Sequence, residues 1–240
     1  MAPEAGRRPS AGSGKGSATG HAGAPEGEGG RARADDLLRA ELADEVGARK
    51  APQIEARLGA AARAFQRGRY PEARTELRKL SREVPGSASV RELLGLTYYR
   101  LGQWKAATQE LTKFVELTGS EEQHPVLADC QRALGRHADV ERLWAELREG
   151  SPSGGLVAEG RIVMAGSLAD RGRLRDAVKL LEQARWQVKR PREHHLRIAY
   201  ALADLQERAG DLPAARATFA WIVAHDAEFA DAGERLAGLT

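Results

Sequence analysis

Arg91-Glu92-Leu93-Leu94-Gly95-Leu96-Thr97-Tyr98-Tyr99-Arg100-Leu101-Gly102-Gln103-Trp104-Lys105-Ala106-Ala107-Thr108-Gln109-Glu110-Leu111 decides how this 240-residue chain folds. Two helical patterns meet at Gly102, which suits the left-handed conformation that closes a helix, and Trp104 opens the next one two places later. Gly95 on the first helix and Ala107 on the second are small where two paired backbones would approach closely. A bulky side chain there forces the helices apart. A glycine inside a helix costs about 1 kcal/mol of propensity, which only packing offsets. The stretch therefore reads as a tightly packed helix–turn–helix unit.

The same punctuation recurs along the chain. Gly68-Arg69-Tyr70, Gly102-Gln103-Trp104, Gly135-Arg136-His137, Gly172-Arg173-Leu174 and Gly210-Asp211-Leu212 are spaced by 34, 33, 37 and 38 residues. Prolines agree with the breaks. Pro52, Pro71, Pro125 and Pro213 fall in first turns, where a missing N–H costs little, and Pro85, Pro152 and Pro191 fall where second helices finish. The pattern predicts helices over 52–67, 71–84, 88–101, 104–118, 121–134, 137–149, 155–171, 174–189, 193–209, 212–225 and about 228–238.

A period near 34 with Leu94-Gly95-x-x-Tyr98 and Ala107-x-x-x-Leu111 resembles the tetratricopeptide repeat (TPR), whose first helix carries Trp-x-x-Leu-Gly-x-x-Tyr. Arg91 replaces the Trp and Gly119 the closing Pro. The first unit keeps Gly68, Tyr70, Ala73, Leu77 and Pro85. The third keeps Leu127, Ala128, Gly135 and Trp144, with Val140 in place of the small Ala. The fourth offers Ala165, Leu168, Gly172, Ala177 and Leu181, and the fifth Leu202, Ala203, Gly210, Ala215 and Phe219. The expected fold is all-α, a right-handed TPR-like solenoid of about five repeats with a capping helix at the C-terminus and a disordered tail in front. Its divisions are a tail over 1–33, a short leading helix over 34–47, repeats over about 52–86, 87–120, 121–152, 153–191 and 192–227, and a cap over 228–240. More narrowly, the run of Gly95, Trp104, Thr118-Gly119, Ala128-Asp129-Cys130 and Asp231-x-x-Glu234-Arg235-Leu236 resembles a group of TPR proteins from high-GC bacteria with a Gly/Arg-rich N-terminal tail. That narrower resemblance implies no particular activity.

Composition sets the outer limits. Residues are 42% hydrophobic but only 5% aromatic, dominated by Leu, Ala and Val, which leans towards helices and away from β-sandwiches. Residues 1–33 hold nine Gly and three Pro, too little apolar surface to offset chain entropy. Within them, Gly12-Ser13-Gly14-Lys15-Gly16-Ser17 departs from a phosphate loop, because Gly16 stands where Ser or Thr must follow the Lys. Net charge is +3, with five basic and three acidic side chains in the tail and 32 against 31 beyond it. No one-signed field of the kind nucleic acid requires is present. One cysteine, Cys130, excludes a disulfide framework and fits a reducing, cytoplasmic location. Neither a membrane-spanning run nor the apolar core of a signal peptide is seen.

Few residues carry chemistry. His194 and His195 point about 100° apart on a helix and cannot share a metal as an i, i+4 pair does. Cys130 lacks a strained elbow or an oxyanion hole and reads as buried packing. Trp104, Trp144, Trp186 and Trp221 are assigned to second helices or their starts, and to the core. Asp129, Asp170, Asp204 and Glu207 read as groove lining rather than an acid–base pair. The resemblance implies that first helices line a concave surface, and there Phe65, Tyr99, Arg100, Arg132, Tyr200 and Asp204 are the candidate partner-binding residues. The family's clamp for a C-terminal carboxylate needs Lys and Asn at places held here by Leu58, Ala62, Leu93, Pro125 and Asp129. The expectation is a non-enzymatic, cofactor-free scaffold that binds a protein or peptide segment. A nucleic-acid-associated role through the tail and groove arginines is the alternative, against which the balanced charge argues.

Overall fold

The computed structural model describes residues 28–150 and 153–239, with side chains from Asp36 onward. Among them are twelve helices and no strand: α1 (Glu28–Val46), α2 (Ala51–Gln66), α3 (Tyr70–Glu83), α4 (Ala88–Arg100), α5 (Trp104–Thr118), α6 (His124–Ala133), α7 (His137–Gly150), α8 (Gly154–Asp170), α9 (Leu174–Glu182), α10 (Glu193–Arg208), α11 (Leu212–His225) and α12 (Ala232–Gly238). The chain divides into a unit Met1–Leu37 and a unit Leu38–Thr240. Of the first, the opening part of α1 is described, and Leu37 there is exposed. The helix expected from residue 34 thus starts earlier, at Glu28. Of the tail over 1–33 expected to be disordered, residues 1–27 with the phosphate-loop-like segment lie outside the described residues, as does Pro152, and 28–33 belong to α1.

In the second unit five helix pairs, α2–α3 to α10–α11, follow one another, each joined by the same turn. Gly68, Gly102, Gly135, Gly172 and Gly210 have φ between 67° and 82°. In every turn the N–H after the glycine reaches back to a carbonyl five residues earlier at 2.9 Å, as Gln103 does to Tyr98 and Arg136 to Gln131. This is a Schellman closure, and it returns the chain antiparallel to itself. Pro52, Pro71, Pro125 and Pro213 all lie in the first turns of their helices.

Packing follows the repeat. Ala73, Leu94, Gly95, Ala107, Ala128, Ala165, Ala177, Ala203 and Ala215 are all buried, while Tyr70, Tyr98 and Trp104 are half-buried at the turns. The apolar interior forms three successive clusters, centred on Leu42 to Leu94, on Leu111 to Leu143, and on Ala158 to Ala232. Each helix pair buries its stripe only against its neighbours, as a stacked-repeat architecture requires. Val140, the residue that breaks the small-Ala pattern, is fully buried. The end of α1 joins the first cluster through Leu42, and α12 joins the last through Ala232.

Three boundaries depart from expectation, each where side chains or turns override periodicity. α9 ends at Glu182 rather than 189, and Arg161 of α8 donates to the Leu180 carbonyl at 3.0 Å, supplying the partner that the missing next turn would have given. Trp186 consequently lies in the following loop, not on a second helix; it is buried and meets Trp221 edge-on at 5.0 Å. α6 starts at His124 because Thr118 and Ser120 hydroxyls hold the Ser120 and Glu122 amides in a turn. α12 starts at Ala232, after an Asp226 turn and Ala230 at φ 49°.

Candidate functional site

Counting back from each turn glycine superposes the first helices. Three places back stand Phe65, Tyr99, Arg132, Ala169 and Glu207; six back, Ala62, Leu96, Asp129, Gly166 and Asp204; nine back, Gly59, Leu93, Val126, Val163 and Ala201. Except for buried Ala169, all are half-buried, so α2, α4, α6, α8 and α10 present one continuous, partly wetted face. Its apolar middle is Leu93, Leu96, Val126 and Val163.

Polar side chains brace that face across successive units. Tyr99 Oη on α4 donates to Asp129 Oδ2 on α6 at 2.8 Å. Arg132 then spans Asp129 at 3.2 Å and Asp170 on α8 at 3.0 Å. Gly166 makes room for it, since a Cβ there would lie 2.5 Å from Arg132 Nη1. A second brace closes the C-terminal end, where Tyr200 donates to Asp231 and Arg235 holds Asp204 at 3.1 Å and Glu207 at 2.8 Å. The four carboxylates expected along a common groove therefore fall into two arginine-bridged pairs. Burial and Asp129 together raise the Tyr99 phenol well above its ordinary range, so it stays a donor.

The sequence-nominated residues divide by what they touch. Phe65 packs on the first core cluster and meets Tyr70 edge-on at 5.3 Å, and Tyr99 meets Trp104 likewise at 5.5 Å. Each aromatic thus leans on the residue that opens its own second helix. Arg100 lies over the Tyr70 ring at 4.7 Å, tying the second helix pair to the first. Tyr99 and Arg132 meet through Asp129, whereas Tyr200 and Asp204 belong to the separate C-terminal brace. Cys130 is fully buried and burial pushes its thiol up to about 12, leaving no thiolate at neutral pH. His194 and His195 stack at 3.9 Å, and among the described residues no group of three His, Cys, Asp or Glu could hold a metal ion.

The helical fold recurs in solved structures. A thermophilic TPR protein of Thermus thermophilus is 22% identical, with 78% of this chain and 98% of that one aligned and a TM-score of 0.59. Pseudomonas aeruginosa PilF is 17% identical over 86% of each chain, with a TM-score of 0.55. The fold is a tetratricopeptide-like solenoid. No family model and no curated protein sequence matches the chain. Among the described residues no helix is long and apolar enough to cross a membrane.

On the first-helix face of this tetratricopeptide-like solenoid, one carboxylate stands apart, and the sequence reading passed over it. Glu92 is half-buried on α4, accepts a hydrogen bond from buried Gln123 at 2.7 Å, and has Glu122 as its charged neighbour. Burial first, and Glu122 in addition, raise its pKa despite the Gln123 bond. A carboxyl that is harder to ionise in the folded chain than in the unfolded one stabilises the fold at low pH and loses that advantage as pH rises through its folded pKa. Glu92→Gln is therefore expected to raise the melting temperature at pH 7. The gain fades on acidification and vanishes well below pH 4.5, where the carboxyl is protonated in both states. Melts of both proteins at pH 7 and pH 4 check this, and a lower melting temperature for the variant at pH 7 would refute it.

Proposed function

We propose that the chain is a non-enzymatic scaffold of the tetratricopeptide type, related to the Gly/Arg-tailed proteins of high-GC bacteria, that binds a polypeptide segment along its first-helix face in a reducing cytoplasm. The observation that carries this reading is the stripe Leu93, Leu96, Val126 and Val163, only partly buried on a face that the Tyr99–Asp129–Arg132–Asp170 ladder braces. Apolar surface presented by a pre-organised frame is what a partner segment needs, because little ordering then opposes association. Tyr99 and Arg132 line the centre of the groove, with Arg100 over Tyr70 at its margin, Phe65 towards one end and Tyr200 and Asp204 towards the other. The groove arginine Arg132 is neutralised by Asp129 and Asp170, which speaks against a phosphate backbone as the ligand.

The test is quantitative capture. Partners recovered on the full chain and identified by mass spectrometry are titrated against wild type, Arg132→Ala and Val126→Asp, with melts of all three. Arg132→Ala is expected to weaken binding by at least roughly tenfold, about 1.4 kcal/mol, since arginine at the centre of a contact surface is a frequent hot spot. Val126→Asp is expected to abolish binding. Unchanged affinities for both variants would remove the first-helix face from recognition.

A further inference from the structure

We infer that the segment bound on the first-helix face is extended and basic-apolar: an arginine or lysine that lodges beside Glu92, with a large apolar side chain about two to four residues away on the Val126–Val163 stripe. The inference rests on the reading of that face as a binding groove and adds the chemistry of what occupies it.

Charge accounting across the face leads to it. Glu55 is paired with Arg39 at 3.0 Å, Glu159 with Arg197 at 2.6 Å, Asp129 and Asp170 with Arg132, and Asp204 and Glu207 with Arg235. Each of these first-helix carboxylates thus has an arginine brought to it. Glu92 breaks the rule. Its bond is to the neutral amide of Gln123, the residue that enters α6, and among the described residues neither Glu92 nor Glu122 forms an ion pair with a cationic side chain.

A half-buried carboxylate held by a neutral amide carries a desolvation cost that an incoming cation relieves, and a charge-assisted hydrogen bond made there is stronger than a neutral one. The neighbours decide what accompanies the cation. Leu93 adjoins Glu92 on α4, and Val126 and Val163 continue the stripe onto α6 and α8, all partly buried. Packed helices lie roughly 10 Å apart, about three residues of extended chain, so a strand crossing them sets about every third side chain over the next helix. A cation between α4 and α6 then places an apolar neighbour between α6 and α8. Acidic segments and nucleic acids meet like charge at Glu92 and are disfavoured.

The experiment uses the full chain and a defined probe set. Fluorescein-labelled octapeptides carrying Arg, Gln or Glu at one position and Leu or Ser two, three or four places on are titrated by anisotropy into wild type, Glu92→Gln, Glu92→Arg and Val126→Asp, each checked by a thermal melt. Arg–Leu probes are expected to bind wild type at least about tenfold tighter than Gln–Leu or Glu–Leu probes, a difference of about 1.4 kcal/mol. Glu92→Gln is expected to remove that preference while leaving Gln–Leu affinity in place, and Glu92→Arg to shift it to Glu–Leu probes. Probes that bind regardless of charge, yet lose affinity with Val126→Asp, overturn the cation site and leave the groove reading standing. Failure of every probe to bind, binding indifferent to all three substitutions, or preferential binding of a labelled oligonucleotide overturns both.

Discussion

Arg91→Ala is expected to destabilise the chain by about 3 to 5 kcal/mol, the cost of removing one partner from a buried charged network. Arg91 is 7% exposed and uses its whole guanidinium. Nε and Nη2 donate to the Pro85 carbonyl at 3.0 and 2.8 Å, Nη2 also to the Ser81 carbonyl at 3.0 Å, and Nη1 meets Glu110 Oε2 at 2.7 Å. It therefore closes the end of α3, the turn after it and the middle of α5 onto α4. Truncation leaves two carbonyls without their donor and Glu110 with only Lys113, 3.8 Å away and half in solvent. Urea unfolding of wild type and variant measures the loss. Arg91→Trp with Glu110→Leu, which replaces the whole pair by apolar groups in the repeat's own style, is expected to recover most of it. A loss for Arg91→Ala below about 1 kcal/mol would show that water reaches those carbonyls and that the network is not structural.

What could be read in advance follows from how local each feature is. A glycine at φ 67° such as Gly102 is required by its own turn, so five such turns at near-constant spacing expose the repeat in the sequence. Helix ends set by tertiary partners are not local. The break after Glu182 depends on Arg161 reaching the Leu180 carbonyl from the preceding helix, and nothing around Glu182 announces it. The same holds on the binding face. Tyr99 and Arg132 are found by adding one repeat length, but the Arg132–Asp170 pair needs the empty side of Gly166, which only the packed helices bring alongside. Arg235, read as part of a cap, turns inward to Asp204 and Glu207 because α12 packs on the last pair. Glu92 looks like ordinary helix filler until its partners are counted and, among the described residues, the neutral amide of Gln123 stands where the other first-helix carboxylates have an arginine.

Gly95→Leu is expected to cost about 3 kcal/mol, the upper end for forcing bulk into a packed contact. A Cβ added at Gly95 would lie 2.7 Å from both Cδ2 and Cγ of Leu111 and 3.2 Å from the Leu111 backbone nitrogen. Leu111 is fully buried, so its side chain has nowhere to swing, and the nitrogen can retreat only if α5 moves as a whole. Moving α5 opens the seam with α4 on which the second unit is built, which is why relaxation is expensive here. Gly59 on α2 supplies the contrast. A Cβ there meets only Arg63 Nη1, the end of a flexible side chain, at 3.4 Å. Gly59→Ala should therefore gain up to about 1 kcal/mol of helix propensity, whereas Gly95→Ala, with the same intrinsic gain, should lose stability. Denaturant midpoints of the three variants decide between close packing and propensity. A neutral Gly95→Leu, or Gly95→Ala and Gly59→Ala moving together, would mean that α4 and α5 do not meet at Gly95 and that the repeat register is wrong.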